Sequence, residues 1–472
     1  MGLPGSYDGD MATVTCPGCL ERDERIAALE RRVAALEARL GTNATNSSLP
    51  PSASPPGAPK PVTKKRTGKK PGGQPGHPPR LKRRLPPERL HKVIPFVPSH
   101  CDCCHEPLPL HPGLDDPEPT WHQVAELPKM AAQVTEYQGH YRTCPCCGQL
   151  NHSPIPRDLK AHSVGPRLAA TLGYLAGSHR ASSRGLEEIT EDVFDVPIAL
   201  GTVANLRTEL SDALAPAHAE AVRLVRAAAV KNVDETSWKL AGQLCWLWVA
   251  ATSSVAAFLI HAKRGWKALA ALLGEQVEGF VCSDRWSAYD RLSPLCRQIC
   301  WAHLKRDFQK LVDRGGAAAP LGRQLQRVAE RVFEEWHLFR GGTFGRRALQ
   351  NHLDGEAREL ERLLRAGRRC ADAKAATFCA NLLAVLPALW RFVVSEGVEP
   401  TNNHAERLLR RGVLWRKNAF GSHSEAGCRF VERLLTAVQT RRLQGRPVLR
   451  YLYEAVVAHR NSLPAPSLLP VQ

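Results

Sequence analysis

Apolar positions change period along the chain, and each change predicts a different kind of element. Between Glu21 and Leu40, the residues Ile26, Leu29, Val33, Leu36 and Leu40 recur at spacings of three and four, with Arg and Glu between them. That is a heptad seam, and it predicts a short coiled coil joining two chains, although one amphipathic helix docked on its own protein has the same pattern. From Gly41 to His91 the periodicity is lost in Asn, Ser, Pro, Gly and Lys, which predicts a disordered linker. Residues 92–160 hold cysteine pairs among prolines, with short β-like stretches such as Gln133 to Tyr141. A helical period returns at Pro166 to Ala176, Leu186 to Phe194 and Gly201 to Leu214, with the turn DVPIAL before the last.

Strand patterns follow. AAAVKNVD, CWLWVAAT, VAAFLIHA and GFVCSD, between Ala227 and Asp284, are separated by turn signals and one helix, Trp266 to Leu273. Beyond Trp301 the chain reads as helix to about Glu396, and again from Asn403. Strands followed by helices predict an α/β fold.

Composition sharpens this. The chain has 472 residues, room for about three domains, and 43% hydrophobic residues, enough for buried cores. Its 64 Lys and Arg against 46 Asp and Glu leave +18, which points to a polyanionic partner. Twelve Lys or Arg and one acid fall in residues 60–92, so +11 of the excess sits there. A mere spacer needs no such density of unpaired cations, whereas a chain that displaces counterions from phosphates does. Lys64, Lys65, Arg66, Lys69, Lys70, Arg83 and Arg84 are therefore expected to contact DNA. Neither a long apolar run nor a signal-peptide pattern is present, so the expected address is the cytoplasm, with no membrane partner.

In that compartment, clustered cysteines suggest metal. Cys101 with Cys104 and Cys144 with Cys147 are two CxxC pairs separated by 39 residues, the four thiolates of a structural Zn²⁺ site. Cys103 and Cys146 are spare thiols able to replace a neighbour, and Cys16 with Cys19 form a weaker third pair. The helices at 186–214 have the dimensions of a helix-turn-helix, which would turn Asn205, Arg207 and Thr208 towards DNA; small packing modules look the same. Three acids stand out. Asp234 and Asp284 each follow an apolar run, so neighbouring parallel strands would present both, and Glu406 shares a helical face with Asn402, Asn403 and Arg410. Such carboxylates suit Mg²⁺ or Mn²⁺ and two-metal phosphodiester chemistry. Glu235, pointing the other way on its strand, is set aside.

VDET at 233–236, SDRWSAY at 283–289, CWAHLKRDF at 300–308, PTNNHAERLLR at 400–410 and RKNAFGSHSEAG at 416–427 closely resemble the signature blocks of insertion sequence 66 family transposases. NSSLPPS, GGQPGH and the paired CxxC motifs occur there in the same order. The resemblance implies a DDE transposase with a ribonuclease H-like core, its catalytic acids being Asp234, Asp284 and Glu406. It implies two Mg²⁺ ions that serve cleavage at the transposon end and then strand transfer. His303, Arg306, Asn403, Arg407, Lys417 and Asn418 match family positions, and Lys417 is assigned to DNA. RKNAFGSHSEAG is shorter and less aromatic, and CDCCH more crowded, than in many relatives.

The organisation expected is a coiled coil at 1–41, a basic linker at 42–91, a zinc module at 92–160 and a helical DNA-binding region at 161–226. The core would occupy 227–311 and 398–472, around a helical insertion at 312–397. The expected partners are terminal inverted repeats, target DNA, a second copy of the chain and companion proteins of the element, in a cytoplasmic, nucleoid-associated setting. The competing readings are a transposase-derived DNA-binding regulator that no longer cuts, and a ribonuclease H-like nuclease acting on RNA or recombination intermediates.

Overall fold

The computed structural model describes residues 21–33, except 23 and 31, and 84–469, except 114 and 129. The first stretch is helical, with Ile26, Leu29 and Val33 of the expected seam exposed. Leu36, Leu40, Cys16, Cys19 and the arm residues Lys64, Lys65, Arg66, Lys69, Lys70 and Arg83 lie outside the described residues.

In the cysteine-rich segment, β1 (Tyr141–Thr143) and β2 (Leu150–His152) form an antiparallel pair. The strand expected over Gln133 to Tyr141 is realised only at its last residue, because Val134 and Tyr137 are exposed and find no partner strand.

After one short helical turn at Arg157–Lys160 come four longer helices: α1 (Pro166–His179), α2 (Ser183–Asp192), α3 (Leu200–Ala213) and α4 (Ala215–Ala227). Pro166 starts α1 where its missing N–H costs nothing, and the Ser182 side chain caps α2 by accepting from Gly185 N at 2.9 Å. A Cβ on Gly173 would lie 2.0 Å from Leu210 Cδ2, so α1 and α3 cross closely.

A five-stranded sheet carries the next layer, in the order β5-β4-β3-β6-β7. β3 (Val230–Leu240), β4 (Gln243–Ala251) and β5 (Ala256–His261) form an antiparallel meander, and β6 (Phe280–Ser283) and β7 (Arg297–Ile299) run parallel to β3. The first turn is a two-residue hairpin in which Ala241 and Gly242 have φ of 49° and 82°, the sign a tight hairpin requires. Helix α5 (Trp266–Leu273) makes the crossover to β6, within the bounds the sequence suggests. After β7 come α6 (Trp301–Asp313), α7 (Ala318–Arg340), α8 (Arg346–Gly367) and α9 (Ala373–Ala384), then α10 (Asn403–Ala419), α11 (Glu425–Leu443) and α12 (Val448–Arg460).

The edge of β5 is closed by α11. Glu432, Thr436 and Thr440 accept hydrogen bonds from the backbone N–H of Ile260, Phe258 and Ala256 respectively. Four helical residues rise about 6 Å and two strand residues about 6.8 Å, so a helix side chain every fourth residue meets every second strand amide. An otherwise open edge is thereby satisfied.

Two apolar cores result. The first joins the sheet to α1–α5 and α10–α12, so residues 161–226 share a core with the sheet and do not form a separate body. The second runs from Cys282 and Ile299 to Val398. It includes Trp301, Leu304, Phe308 and Leu311 of α6, spaced to face α7, so this second core takes in α6, ahead of residue 312.

Candidate active site

Alternation along β3 leaves Asp234 half-buried on one face and Glu235 buried on the other. β3 and β6 pair in parallel with Val230 beside Phe280, Lys231 beside Val281 and Asn232 beside Cys282. That register, continued by two residues, sets Asp284 beside Asp234, as expected for neighbouring parallel strands. Asp284 ends the strand and turns the chain: its Oδ1 accepts from Trp286 N at 2.9 Å. Beneath it, Arg297, only 2% exposed, donates to the Asp284 carbonyl at 2.8 Å, to Ser283 Oγ at 3.3 Å and to the Tyr289 carbonyl at 3.2 Å. A buried guanidinium saturated by the loop fixes where that loop runs.

Glu406 arrives from far along the chain, in the first turn of α10. Asn402, fully buried, anchors that turn: its Nδ2 donates to the Val233 carbonyl at 2.7 Å, its Oδ1 accepts from Asn232 Nδ2 at 3.2 Å, and its N–H donates to Cys300 Sγ at 3.2 Å. Further on, Arg416 bonds Ser237 of β3, and Ser422 N donates to the Lys239 carbonyl at 2.8 Å. Helix α10 therefore runs along β3 in the strand's own direction, and its first turn lies by Asp234. A Cβ on Gly412 would sit 2.3 Å from Leu247 Cδ2, so the glycine permits this close approach.

Electrostatics records the convergence. Burial, followed by the charges of Glu235, Asp284 and Glu406, holds the Asp234 carboxyl well above the usual range. Nδ1 of His303 on α6 lies 3.5 Å from Glu406 Oε1, and both atoms are buried without a hydrogen-bond partner. Cys300, His303 and Glu406 have ligating atoms within 4.8 Å of one another. Burial pushes the Cys300 thiol up to about 11, which keeps it neutral. Glu235 is satisfied elsewhere: Arg264 Nε donates to it at 2.9 Å and Tyr289 Oη at 2.7 Å. The Arg264 guanidinium is also 3.8 Å from the ring centre of Trp286 and 4.6 Å from that of Trp246.

Among the described residues, the four cysteines of the two CxxC pairs are not gathered within reach of one ion. Each pair nevertheless forms the same turn. Cys101 N donates to the Glu106 carbonyl at 2.9 Å and His105 N to that of Cys101 at 3.0 Å; Cys144 N donates to Gln149 at 2.8 Å and Gly148 N to Cys144 at 2.9 Å. His105 takes the positive φ, 62°, that Gly148 takes at 72°, so the crowded CDCCH still makes the turn. Backbone N–H groups of Cys104 and Cys103 lower the Cys101 thiol, and those of Cys147 and Cys146 lower Cys144.

The cations assigned to DNA are dispersed. Asn205 and Lys417 are exposed, and Arg84 lies 5.8 Å over the Trp121 ring. Arg207 turns inward, contrary to its assignment: its guanidinium is 4.9 Å over Phe430 and donates to Ser183 Oγ at 3.2 Å, because α3 packs on α11 along that face. Sequence reasoning passed over Arg297 entirely and saw Asn402 only as part of a polar face. Their roles depend on partners that the linear pattern does not reveal.

Three acids therefore approach one another where two parallel strands meet a helix, although among the described residues the ligating atoms gathered within 4.8 Å are those of Cys300, His303 and Glu406, not those of the three acids. Residues 162–429 match the Transposase IS66 family, more than half of the chain and all three acids, and the protein belongs to that family. Residues 20–83 match a family of unknown function (DUF6444). No curated protein is significantly similar to the chain. Family membership makes this a transposase whose activity is of the nuclease or transferase type, acting on DNA. No helix among the described residues is long and apolar enough to cross a membrane.

Proposed function

We propose that the protein cleaves DNA at the ends of an insertion sequence and transfers the freed strand, using Asp234, Asp284 and Glu406 of a ribonuclease H-like core. The observation that carries the reading is the raised Asp234 carboxyl, which reflects burial first and then the charges of Glu235, Asp284 and Glu406 gathered around it. Such crowding is costly unless a cation or a proton offsets it. The donor set fits a hard divalent ion: three carboxylates, one of them with an oxygen that is buried and unpaired. Mg²⁺ or Mn²⁺ would be held by these acids and, when bound, would acidify a nucleophile and stabilise a leaving oxygen.

The chain's own residues set the stage. Asn402 fixes the height of Glu406 over β3, and Arg297 with the Trp286 amide fixes Asp284. His303, facing Glu406, offers a polar edge to the same point. Hydrolysis of a phosphodiester at the element's end would leave a 3′-hydroxyl and a 5′-phosphate. Attack of that hydroxyl on a target phosphodiester would join the strands and release a new 3′-hydroxyl.

The two cysteine turns would close on one structural Zn²⁺, their lowered leading thiols favouring the thiolate form that the metal takes. The exposed seam at Ile26, Leu29 and Val33 would pair two copies of the chain. The arm at 60–92, together with Lys417, Asn205 and Arg84, would contact DNA backbone. Companion proteins of the element would be further partners.

The test is incubation with Mg²⁺ or Mn²⁺ and DNA carrying the element's own ends. Nicking and joining by the natural protein, absent from Asp234→Asn, Asp284→Asn and Glu406→Gln, support the proposal. Retained cleavage in any variant removes that residue from the site.

A further inference from the structure

A second charged cluster lies away from the carboxylates. Arg180 closes α1, Arg411 stands on α10 and Arg442 ends α11. The three helices meet closely: a Cβ on Gly177 would be 2.2 Å from Leu434 Cδ2, and one on Gly412 would be 3.8 Å from Leu435 Cδ1. Arg442 follows Leu435 by seven residues, two helical turns along the same face. Arg180 has a φ of 63°, a left-handed backbone that long side chains rarely adopt.

Among the described residues, no carboxylate forms an ion pair with any of the three. Arg180 Nε and Arg442 Nη1 are buried with no hydrogen-bond partner, and Arg411 is exposed beside them. Two other arginines of α11 do have carboxylates: Arg429 pairs with Glu432 and Arg433 with Asp212. Partial burial and then the facing charges of Arg442 and Arg180 lower the Arg411 guanidinium, and no carboxylate opposes them. Two guanidiniums that carry orphaned donors and also repel Arg411 call for an anion, and a phosphate oxygen matches the guanidinium fork.

We propose that Arg180, Arg411 and Arg442 form a phosphate-binding site that grips the DNA backbone. It is distinct from the carboxylate site: five residues separate Arg411 from Glu406, about 7.5 Å along the helix and roughly 140° around it. The choice of DNA over a free phosphate rests on the transposase reading above. The exposed Arg411 leaves the site open to a polymer that passes over the surface.

The test uses the full chain without added divalent ion. Binding of a labelled duplex is followed by fluorescence anisotropy across a salt series, and melting is followed with and without inorganic phosphate. The triple variant R180Q/R411Q/R442Q is expected to bind about 10-fold more weakly near 0.1 M salt. The slope of log affinity against log salt should become shallower by about one. Inorganic phosphate should raise the melting temperature of the natural protein and not that of the variant. R411Q alone, at an exposed position, should show part of the loss and serves if the triple variant fails to fold. Unchanged affinity and slope in the variants overturn the proposal. Phosphate stabilisation without a change in the DNA slope overturns its DNA form in favour of a small anion. Failure of the natural protein to bind any duplex would count against the transposase reading itself, while the melting arm still reads the site.

Discussion

The carboxylate site and the cysteine turns both carry side chains proposed to ligate a metal, and they are built in opposite ways. Asp234, Asp284 and Glu406 are held by sheet register, a saturated Arg297 and a buried Asn402 before any ion is considered. Cys101, Cys104, Cys144 and Cys147 lie in two well-formed turns that the surrounding chain does not bring together. The segment around them exposes Val93, Phe96, Val124 and Val134 and contributes nothing to either core. A rigid core can impose like-charge crowding because packing opposes the repulsion, whereas a small loop-rich segment depends on its ligand for cohesion.

The comparison breaks most readily at the acids. Asp234→Asn, Asp284→Asn or Glu406→Gln is expected to lower strand cleavage by more than about 100-fold, the upper end of what outer-shell partners of a metal cost, with little change in melting. Asn402→Ala should lower cleavage by about 10–100-fold while sparing duplex binding. It should also destabilise the fold by about 1–3 kcal/mol, because the Val233 carbonyl and Asn232 lose their buried partner. Equal kinetics in the Asn402 variant would mean that α10 is fixed by other contacts.

For the cysteine turns the expected phenotype is different. Stripping the metal, or making Cys101→Ser with Cys144→Ser, should abolish Zn²⁺ content and expose residues 92–160 to protease, while the sheet keeps its cooperative unfolding. A metal-free protein that is equally resistant in that segment would show that the turns are held without zinc.

The smallest effect concerns pH and the edge of β5. Burial pushes the Glu432 carboxyl up to about 7 from 4.5, despite its ion pair with Arg429. The folded protein therefore holds this proton more tightly than the unfolded chain does. The resulting stability is fully present below pH about 4.5 and is lost as pH rises through about 7, by an amount on the order of 3 kcal/mol. Glu432→Gln keeps an acceptor for Ile260 N and should flatten that dependence in melting curves between pH 5 and 8. An identical pH profile would assign the titration to another group.

Much of the sheet was legible in the sequence, because its strands are apolar runs of ordinary length and both aspartates close such runs. The parallel pairing of β3 with β6 follows from the crossover helix between them. Glu406 was recognisable as a third acid, but its place beside Asp234 depends on Asn402 meeting Val233 across 169 residues, which no local period encodes. The same holds for Glu432, Thr436 and Thr440, whose polar stripe reads as a solvated face until β5 is laid against it. Arg207 misled for the complementary reason: a cation on a helix-turn-helix pattern reads as exposed, and only the packing of α3 on α11 stacks it over Phe430.

The central claim is that Asp234, Asp284 and Glu406 form one metal site. Titration of the protein with Mn²⁺, by calorimetry in two buffers of different ionisation enthalpy, tests it most directly. The account predicts binding that releases more protons as the pH is lowered, because burial and the neighbouring charges hold the Asp234 carboxyl above the usual range and the ion competes with its proton, and affinity at least about 10-fold weaker in each single variant. Binding that survives unchanged in Asp234→Asn, Asp284→Asn and Glu406→Gln would contradict it.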